Sequence, residues 1–159
     1  FHSGVMPAVN PGISVSRVGG SAQIKAMKKV AGSLKLLYSQ YRELEAFAQF
    51  GSDLDADTKR RLAQGARIVE VLKQDKSSPV PVEYQVAILF AAVHELLGEI
   101  PLEMLRAYEK GLYLYLDVHA TDVLFRIRST GALSDEDAGT LRATIEAYNV
   151  AFLSGEMEA

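Results

Sequence analysis

The sequence predicts a mainly α-helical fold, a bundle of about five to six helices, and three observations lead to this prediction. Apolar residues recur at helical spacing in several stretches after residue 20. Prolines, serines and glycines that favour helix starts and stops stand at the ends of these stretches. Only residues 13–16 alternate clearly between apolar and polar side chains, and no strand-like partner follows them.

Length, charge and composition exclude several classes of protein. The 159 residues suit one ordinary domain. The net charge of -3 gives no broad positive field for nucleic acid, so no nucleic-acid partner is expected. The absence of cysteine removes disulfides, thiol catalysis and cysteine-ligated zinc. The longest charge-free apolar run, residues 84–93, is far shorter than the ~20 residues of a membrane-spanning helix, so no direct membrane span is expected.

The first twenty residues differ from the rest because glycine and proline are concentrated there. Together with the isolated strand-like segment, this composition predicts a last strand and exit loop that belong to a preceding α/β domain. The chain also begins with Phe1 instead of an initiator methionine. We therefore expect the remainder of that preceding domain to be missing from this sequence.

The first three predicted helices lie between residues 21 and 73. Ser21 is the expected N-cap of a helix over residues 22–31, and Gly32 is expected to break it. Helical spacing then predicts a helix over residues 33–50, which Gly51 ends. A third helix is predicted over residues 55–73 because acidic residues occupy its first turn, and residues 77–81 form a linker.

The remaining predicted helices follow Pro81, Pro101 and Ser134. The helix after Pro81 is apolar on more than one face, which is typical of a central helix. Pro101 opens a helix to about residue 118, with a bent continuation to residue 128 that Gly131 ends. Ser134 and the acidic residues after it form a capping box for the last helix.

Arg17 is the first candidate for chemistry, because it is the only formally charged residue among the first 24. It follows the strand-like segment and precedes a helix, a position from which a guanidinium can bind a phosphate in bidentate fashion. A single loop arginine is more often a solvated or locally paired side chain. Gly19 and Gly20 do not provide the spacing of a phosphate-binding P-loop.

No metal site and no nucleophilic active site are predicted. The three histidines lack the spacing of a metal motif. Asp53, Asp55 and Asp57 alternate like calcium ligands, but the glycine and the final glutamate of a calcium loop are missing. Two interpretations of these aspartates remain, namely capping of the third helix and an acidic contact surface.

Several long strings in the sequence resemble one protein family. They are PAVNPGISVSRVGG at residues 7–20, QIKAMKKVAG at residues 23–32 and QYRELEAFAQFGSDLD at residues 40–55. Shorter matches continue at residues 62–67, 72–74 and 83–86. These strings closely resemble the C-terminal portion of the alpha subunit of F-type ATP synthase. The resemblance implies that residues 1–23 end a nucleotide-binding domain and that residues 24–159 form the C-terminal helical domain.

The resemblance also implies roles for individual residues. Arg17 matches the arginine that this subunit contributes in trans to the catalytic site of a neighbouring beta subunit. Pro7 and Gln74 match walls of the adenine pocket of the alpha subunit's non-catalytic nucleotide site. Met6 stands where many members have arginine, and Lys76 stands where many have glutamine, so we expect Lys76 to replace part of the lost charge.

A further match implies contact with the rotor. The loop at residues 50–55 resembles the family's loop that faces the rotating gamma subunit, and its contact residues would be Phe50, Ser52, Asp53 and Asp55. The implied assembly is an alternating alpha/beta hexamer that surrounds the gamma subunit. This assembly would lie peripherally on the inner face of a bacterial or organellar energy-transducing membrane and couple ATP synthesis to proton transport.

The intact subunit is expected to bind ATP or ADP with Mg²⁺, whereas this portion alone is expected to hold neither and to be inactive, because no P-loop is present. An alternative function is a structural helical-bundle interaction module without a catalytic role. The related non-catalytic subunit of a vacuolar-type ATPase shares a Ser-Arg pair at the corresponding turn, but it lacks the string at residues 45–50.

Overall fold

The computed structural model describes residues 16–48 and 54–155, and within these residues the chain is all-helical. The prediction of a mainly helical fold is confirmed. Of the strand predicted at residues 13–16, residues 13–15 lie outside the described residues, and Ser16 is the N-cap of α1. The α-helices are α1 Arg17–Ala22, α2 Lys25–Ala48, α3 Ala56–Val71, α4 Val82–Val93, α5 Leu105–His119, α6 Thr121–Thr130 and α7 Asp135–Ser154, and a 3₁₀ turn at Leu102–Met104 precedes α5.

Helix α4 is the centre of the bundle. It packs against α2 and α3 on one side and against α6 and α7 on the other. Val86, Ala87 and Ala91 on this helix are completely buried. Since α4 is apolar on several faces, it can contact both halves of the bundle at once. The prediction of a central helix after Pro81 is confirmed.

The predicted break at Gly32 is wrong, because α2 runs without interruption through this residue. Gly32 is exposed, and a glycine inside a helix costs only about 1 kcal/mol relative to alanine. Val30 and Leu34 on either side are buried in the core, and their burial stabilises the helix through this point. The predicted cap is also wrong, since Ser21 lies within α1.

The predicted bend after residue 118 is a break between two helices. Helix α5 ends at His119, the next residue Ala120 has a non-helical φ of -138°, and α6 starts immediately afterwards. Gly131 ends α6 with a left-handed φ of 66°, as its position in the sequence predicts. Ser134 then caps α7 by accepting a hydrogen bond from the backbone N–H of Asp137 at 3.0 Å.

A polar network joins α5 and α7 inside the core. The Tyr108 hydroxyl donates to Oδ1 of Asn149 at 2.6 Å, and Nδ2 of Asn149 donates to the Leu96 carbonyl at 2.6 Å. The Tyr148 hydroxyl donates to the Tyr108 carbonyl at 3.0 Å. Burial raises the pKa of Tyr148 to about 12, so this hydroxyl stays a donor at neutral pH.

Two side chains of α3 fasten the segment that follows α4. Nε2 of Gln64 donates to the Val93 carbonyl at 3.0 Å. The Arg67 guanidinium donates to the carbonyls of Leu97 at 2.6 Å and Ile100 at 2.9 Å. These bonds satisfy carbonyls that have no partner within a helix. The segment before Pro101 is thereby fixed against α3.

Candidate functional site

The loop between α3 and α4, residues 72–81, carries two of the predicted site residues, Gln74 and Lys76. Helix α3 stops at Val71, and Pro81 stands at the N-cap of α4. Pro79 and Pro81 lack a backbone N–H and disfavour helical backbone before them, so this segment forms a loop. The predicted linker over residues 77–81 is therefore non-helical in the structure.

Both predicted nucleotide residues on this loop are exposed. The Gln74 side chain folds back so that Nε2 donates to the Ser78 carbonyl. This hydrogen bond holds the side-chain amide of Gln74 in place, and the amide oxygen stays available to accept a hydrogen bond. Lys76 adds an ammonium donor two residues further along. An amide and an ammonium on one loop have the chemistry to bind the polar edge of a base. Met6 and Pro7 lie outside the described residues.

A cavity of about 320 Å³ lies between this loop and helices α4 and α5. Its apolar lining includes Val71, Val80, Ile88 and Leu89. Tyr113 from α5 also lines the cavity, and its hydroxyl donates to Oε1 of Glu109 at 2.5 Å. Burial and this hydrogen bond raise the pKa of Tyr113. The loop therefore stands over open space instead of a packed core.

Charged side chains connect the loop to α3 and α5. Nη1 of Arg106 lies 3.1 Å from Oδ1 of Asp75, and its Nε lies 3.8 Å from Oε1 of Glu70. Lys73 also pairs with Glu70. Sequence reasoning missed these pairs, because Arg106 and Asp75 are 31 residues apart and no local motif links them.

Asp55 caps α3 at the end opposite to the loop. Its Oδ1 accepts from the backbone N–H of Thr58 at 2.9 Å, and its Oδ2 accepts from the Thr58 hydroxyl at 2.7 Å. The hydrogen bonds from Thr58 hold the pKa of Asp55 below its usual value. Asp57 pairs with Arg60 at 2.6 Å and with Arg61 at 2.8 Å. The capping interpretation is confirmed for Asp55, whereas the contact-surface interpretation stays a prediction.

The remaining predicted residues are not brought to the loop. Arg17 is the first residue of α1 instead of a loop residue, and Ser16 caps this helix by accepting from Gly19 N–H at 2.9 Å. Phe50, Ser52 and Asp53 lie outside the described residues. Since α3 has 16 residues, its length of about 24 Å separates Asp55 from the loop that carries Gln74.

The described residues contain neither a cluster of metal ligands nor a helix suited to span a membrane. Residues 16–48 and 54–155 contain no group of three or more His, Asp or Glu side chains placed to hold a metal ion. Within the same residues, no helix has both the length and the apolar character that crossing a membrane requires.

The described residues define a helical domain in which one central helix joins two packed halves. Comparison with known protein families assigns this domain. A model of the ATP synthase alpha/beta chain, C terminal domain, matches residues 23–148. The chain belongs to this family.

A curated relative supports the assignment to the alpha subunit in particular. The chain is 54% identical over 152 residues to a protein of Acetobacterium woodii named "ATP synthase subunit alpha, sodium ion specific". This match covers 96% of the chain but 30% of the relative, so the chain spans about a third of that protein's length. The resemblance to the C-terminal portion of an alpha subunit is confirmed.

Proposed function

We propose that this chain acts as the C-terminal part of the regulatory, non-catalytic alpha subunit in the catalytic head of an F-type ATP synthase. The observation that carries the proposal is the 54% identity to an alpha subunit over nearly the whole chain. The matching family model for the alpha/beta C-terminal domain supports it independently. In this function the chain takes part in ATP synthesis or hydrolysis only within an assembled alpha/beta hexamer, next to beta subunits and a central gamma subunit.

The proposed assembly is peripheral to an energy-transducing membrane and lies on its inner face. The relative from Acetobacterium woodii is named as sodium ion specific. We therefore propose that the complex couples ATP synthesis to the transport of a cation, without specifying the proton that the sequence resemblance leads us to expect.

Arg17 is the proposed catalytic contribution of the chain. Its guanidinium would reach the catalytic site of a neighbouring beta subunit and stabilise negative charge on the phosphoryl group during transfer. Its place at the start of α1, directly after the N-cap Ser16, supports this role because the residue follows a defined helix start. Arginine fingers in other systems contribute about 10³–10⁵ in rate, which corresponds to about 4–7 kcal/mol of activation free energy.

The test is multi-site ATP turnover by the assembled complex with Arg17→Lys in the full-length subunit. We expect turnover to fall by several orders of magnitude while nucleotide binding, measured on the same preparation, is preserved. Lysine keeps the charge but loses the planar bidentate donor, so the change isolates the geometry of the finger. Arg142→Lys on α7 is the matched control. Unchanged turnover of Arg17→Lys would favour the alternative, a structural helical bundle without a catalytic role.

Gln74 and Lys76, together with Pro7, are proposed to form one side of a non-catalytic site for ATP or ADP with Mg²⁺. The amide of Gln74 and the ammonium of Lys76 support this role, because both groups are exposed on the same loop and can donate hydrogen bonds to a ligand. Lys76 would replace part of the charge that is absent at Met6. We expect Gln74→Ala and Lys76→Gln each to weaken nucleotide binding at this site, as measured by equilibrium titration of the assembled complex. Affinities equal to wild type would remove these residues from the site.

The acidic end of α3 is the proposed contact with the gamma subunit, through Phe50, Ser52, Asp53 and Asp55. The cap hydrogen bonds hold the carboxylate of Asp55 in its ionised form, which supports an attraction to basic rotor residues. Asp53→Asn in the assembled complex should then alter the torque or the stepping rate of the rotor. Unaltered rotation would contradict the rotor contact and leave helix capping as the role of these acidic residues.

A further inference from the structure

The exposed part of the loop, residues 74–79, is held by polar contacts and not by packing in the core. Residues 74–79 are all exposed, and the space beneath the loop is the cavity of about 320 Å³. No apolar side chain of these six residues enters the core. The position of the loop therefore depends on the side chains that reach it from neighbouring helices.

Two braces reach the loop from the helices beneath it. At its far end, Nε2 of Gln85 on α4 donates to the Val80 carbonyl at 2.6 Å. At its near end, Arg106 on α5 binds Asp75 at 3.1 Å and also lies 3.8 Å from Glu70 at the end of α3. Arg106 is thus the side chain that ties the loop and two helices together.

Asp75 lies directly between the two proposed nucleotide residues. Fixing its carboxylate restricts the backbone from which the side chains of Gln74 and Lys76 extend. Ser77, which follows, has a left-handed φ of 61°, a backbone conformation that a non-glycine residue adopts only when its surroundings hold it there. An anchored Asp75 and a turn at Ser77 together define where Gln74 and Lys76 lie.

We propose that Arg106 is a positioning residue for the non-catalytic nucleotide site, which it sets through its ion pair with Asp75. The inference rests on the proposed function, because it takes Gln74 and Lys76 as nucleotide contacts. Arg106 itself does not touch the nucleotide in this arrangement. It links α5 to the site, so a shift of α5 relative to α3 changes nucleotide affinity.

The expected effect is small and sensitive to salt. The side chains of Arg106 and Asp75 are 41% and 68% exposed, and pairs of this kind are worth little in double-mutant cycles. We expect Arg106→Gln and Asp75→Asn each to raise the Kd for Mg-ADP about two- to fivefold at low ionic strength. The difference should disappear near 1 M salt, where the Debye length is about 3 Å.

The experiment uses the assembled complex with variants in the full-length subunit and two readouts. Equilibrium titration with Mg-ADP gives the Kd, and hydrogen exchange without nucleotide gives the protection of the backbone amides of residues 74–78 and 80. The double variant Arg106→Asp with Asp75→Arg should recover part of the affinity and the protection, whereas each single reversal should not. Arg142→Gln is the matched control, since Arg142 is also 41% exposed and pairs with Glu146 on another part of the bundle.

The outcomes separate this inference from the function on which it rests. Weaker binding by Gln74→Ala together with weaker binding and faster exchange in Arg106→Gln supports both. Weaker binding by Gln74→Ala with an unchanged Kd and unchanged exchange in Arg106→Gln overturns the positioning role alone. Unchanged binding by Gln74→Ala overturns the nucleotide role of the loop and the positioning role with it. An effect of Arg106→Gln that persists at 1 M salt overturns the ion-pair mechanism.

Discussion

Replacing Gly65 with alanine tests how closely α2 and α3 pack. Gly65 is buried within α3, and a Cβ at this position would lie 2.2 Å from Cδ2 and 2.4 Å from Cβ of Tyr41 on α2. Rotation of the Tyr41 ring cannot relieve the contact with its Cβ, because this atom is fixed to the backbone. The two helices must therefore move apart for the substitution to fit.

The magnitude follows from two opposing terms. Overpacking of a core site costs about 1–3 kcal/mol, and a contact with a fixed atom belongs at the upper end of this range. Alanine in a helix interior recovers about 1 kcal/mol relative to glycine. We therefore expect Gly65→Ala to lower the free energy of unfolding of this chain by about 2 kcal/mol, or Tm by about 4–8 °C for a domain of this size.

The assay is chemical and thermal unfolding of the chain, with Gly139→Ala as the control. Gly139 lies in α7, and a Cβ there meets no atom within 4 Å. This control should stabilise the chain by about 0.5–1 kcal/mol through helix propensity alone. If Gly65→Ala were as stabilising as Gly139→Ala, the close contact between α2 and α3 at Tyr41 would be refuted.

Two further predictions concern the start of α7. Ser134→Ala should lower the free energy of unfolding by about 1 kcal/mol through loss of the N-cap, whereas Ser134→Asp should lower it little. Equal losses for the two variants in denaturant unfolding would contradict the capping role. The hydrogen bonds from Arg126 at 2.6 and 2.9 Å lower the pKa of the buried carboxyl of Asp137. The carboxylate therefore stabilises the fold above the unfolded pKa of about 4, and this stabilisation is lost as pH falls through the lower folded pKa. Unfolding measured from pH 7 to pH 2 should then show Asp137→Asn less stable than wild type at pH 7 with the gap closing below about pH 4. The control Asp135→Asn, which removes an exposed pair with Lys29, should show a smaller gap, and a gap for Asp137→Asn that does not depend on pH would argue against the ion pair.

Local signals in the sequence were sufficient for most helix boundaries. Ser134, Gly131 and Pro81 act through their own backbone geometry or through groups a few residues away, so their effects can be predicted from neighbours in the sequence. The predicted break at Gly32 is wrong because the effect of this glycine depends on whether the flanking residues are buried. That burial is decided by helices α3 and α4, which are distant in the sequence.

The braces of the candidate site could not be predicted in this way. Arg67 and Arg106 bind partners about thirty residues away, and each looks in the sequence like an ordinary helix-surface cation. Only the family resemblance indicates that the loop residues Gln74 and Lys76 belong to a binding site. Their periodicity and spacing carry no signal of a ligand.

The uneven burial along α2 has a mechanical consequence. The helix has 24 residues and is about 36 Å long. Its buried residues are Ala26, Met27, Val30, Leu34 and Tyr38, which all lie in the first 14 positions. Beyond Tyr38 no residue of the described part of the helix is fully buried, and Tyr41 lies in close contact with Gly65 of α3.

Helix α2 is therefore anchored in the core along its first 14 residues and less firmly packed towards its C-terminal end. A force applied near Ala48, beside the segment proposed to meet the rotor, would bend the partly covered last turns before it moved the buried part. The buried part would stay in place because the core resists compression. A bulkier side chain at Gly65 would push α2 away from α3 at Tyr41, so it would change the position of the end proposed to meet the rotor as well as the stability.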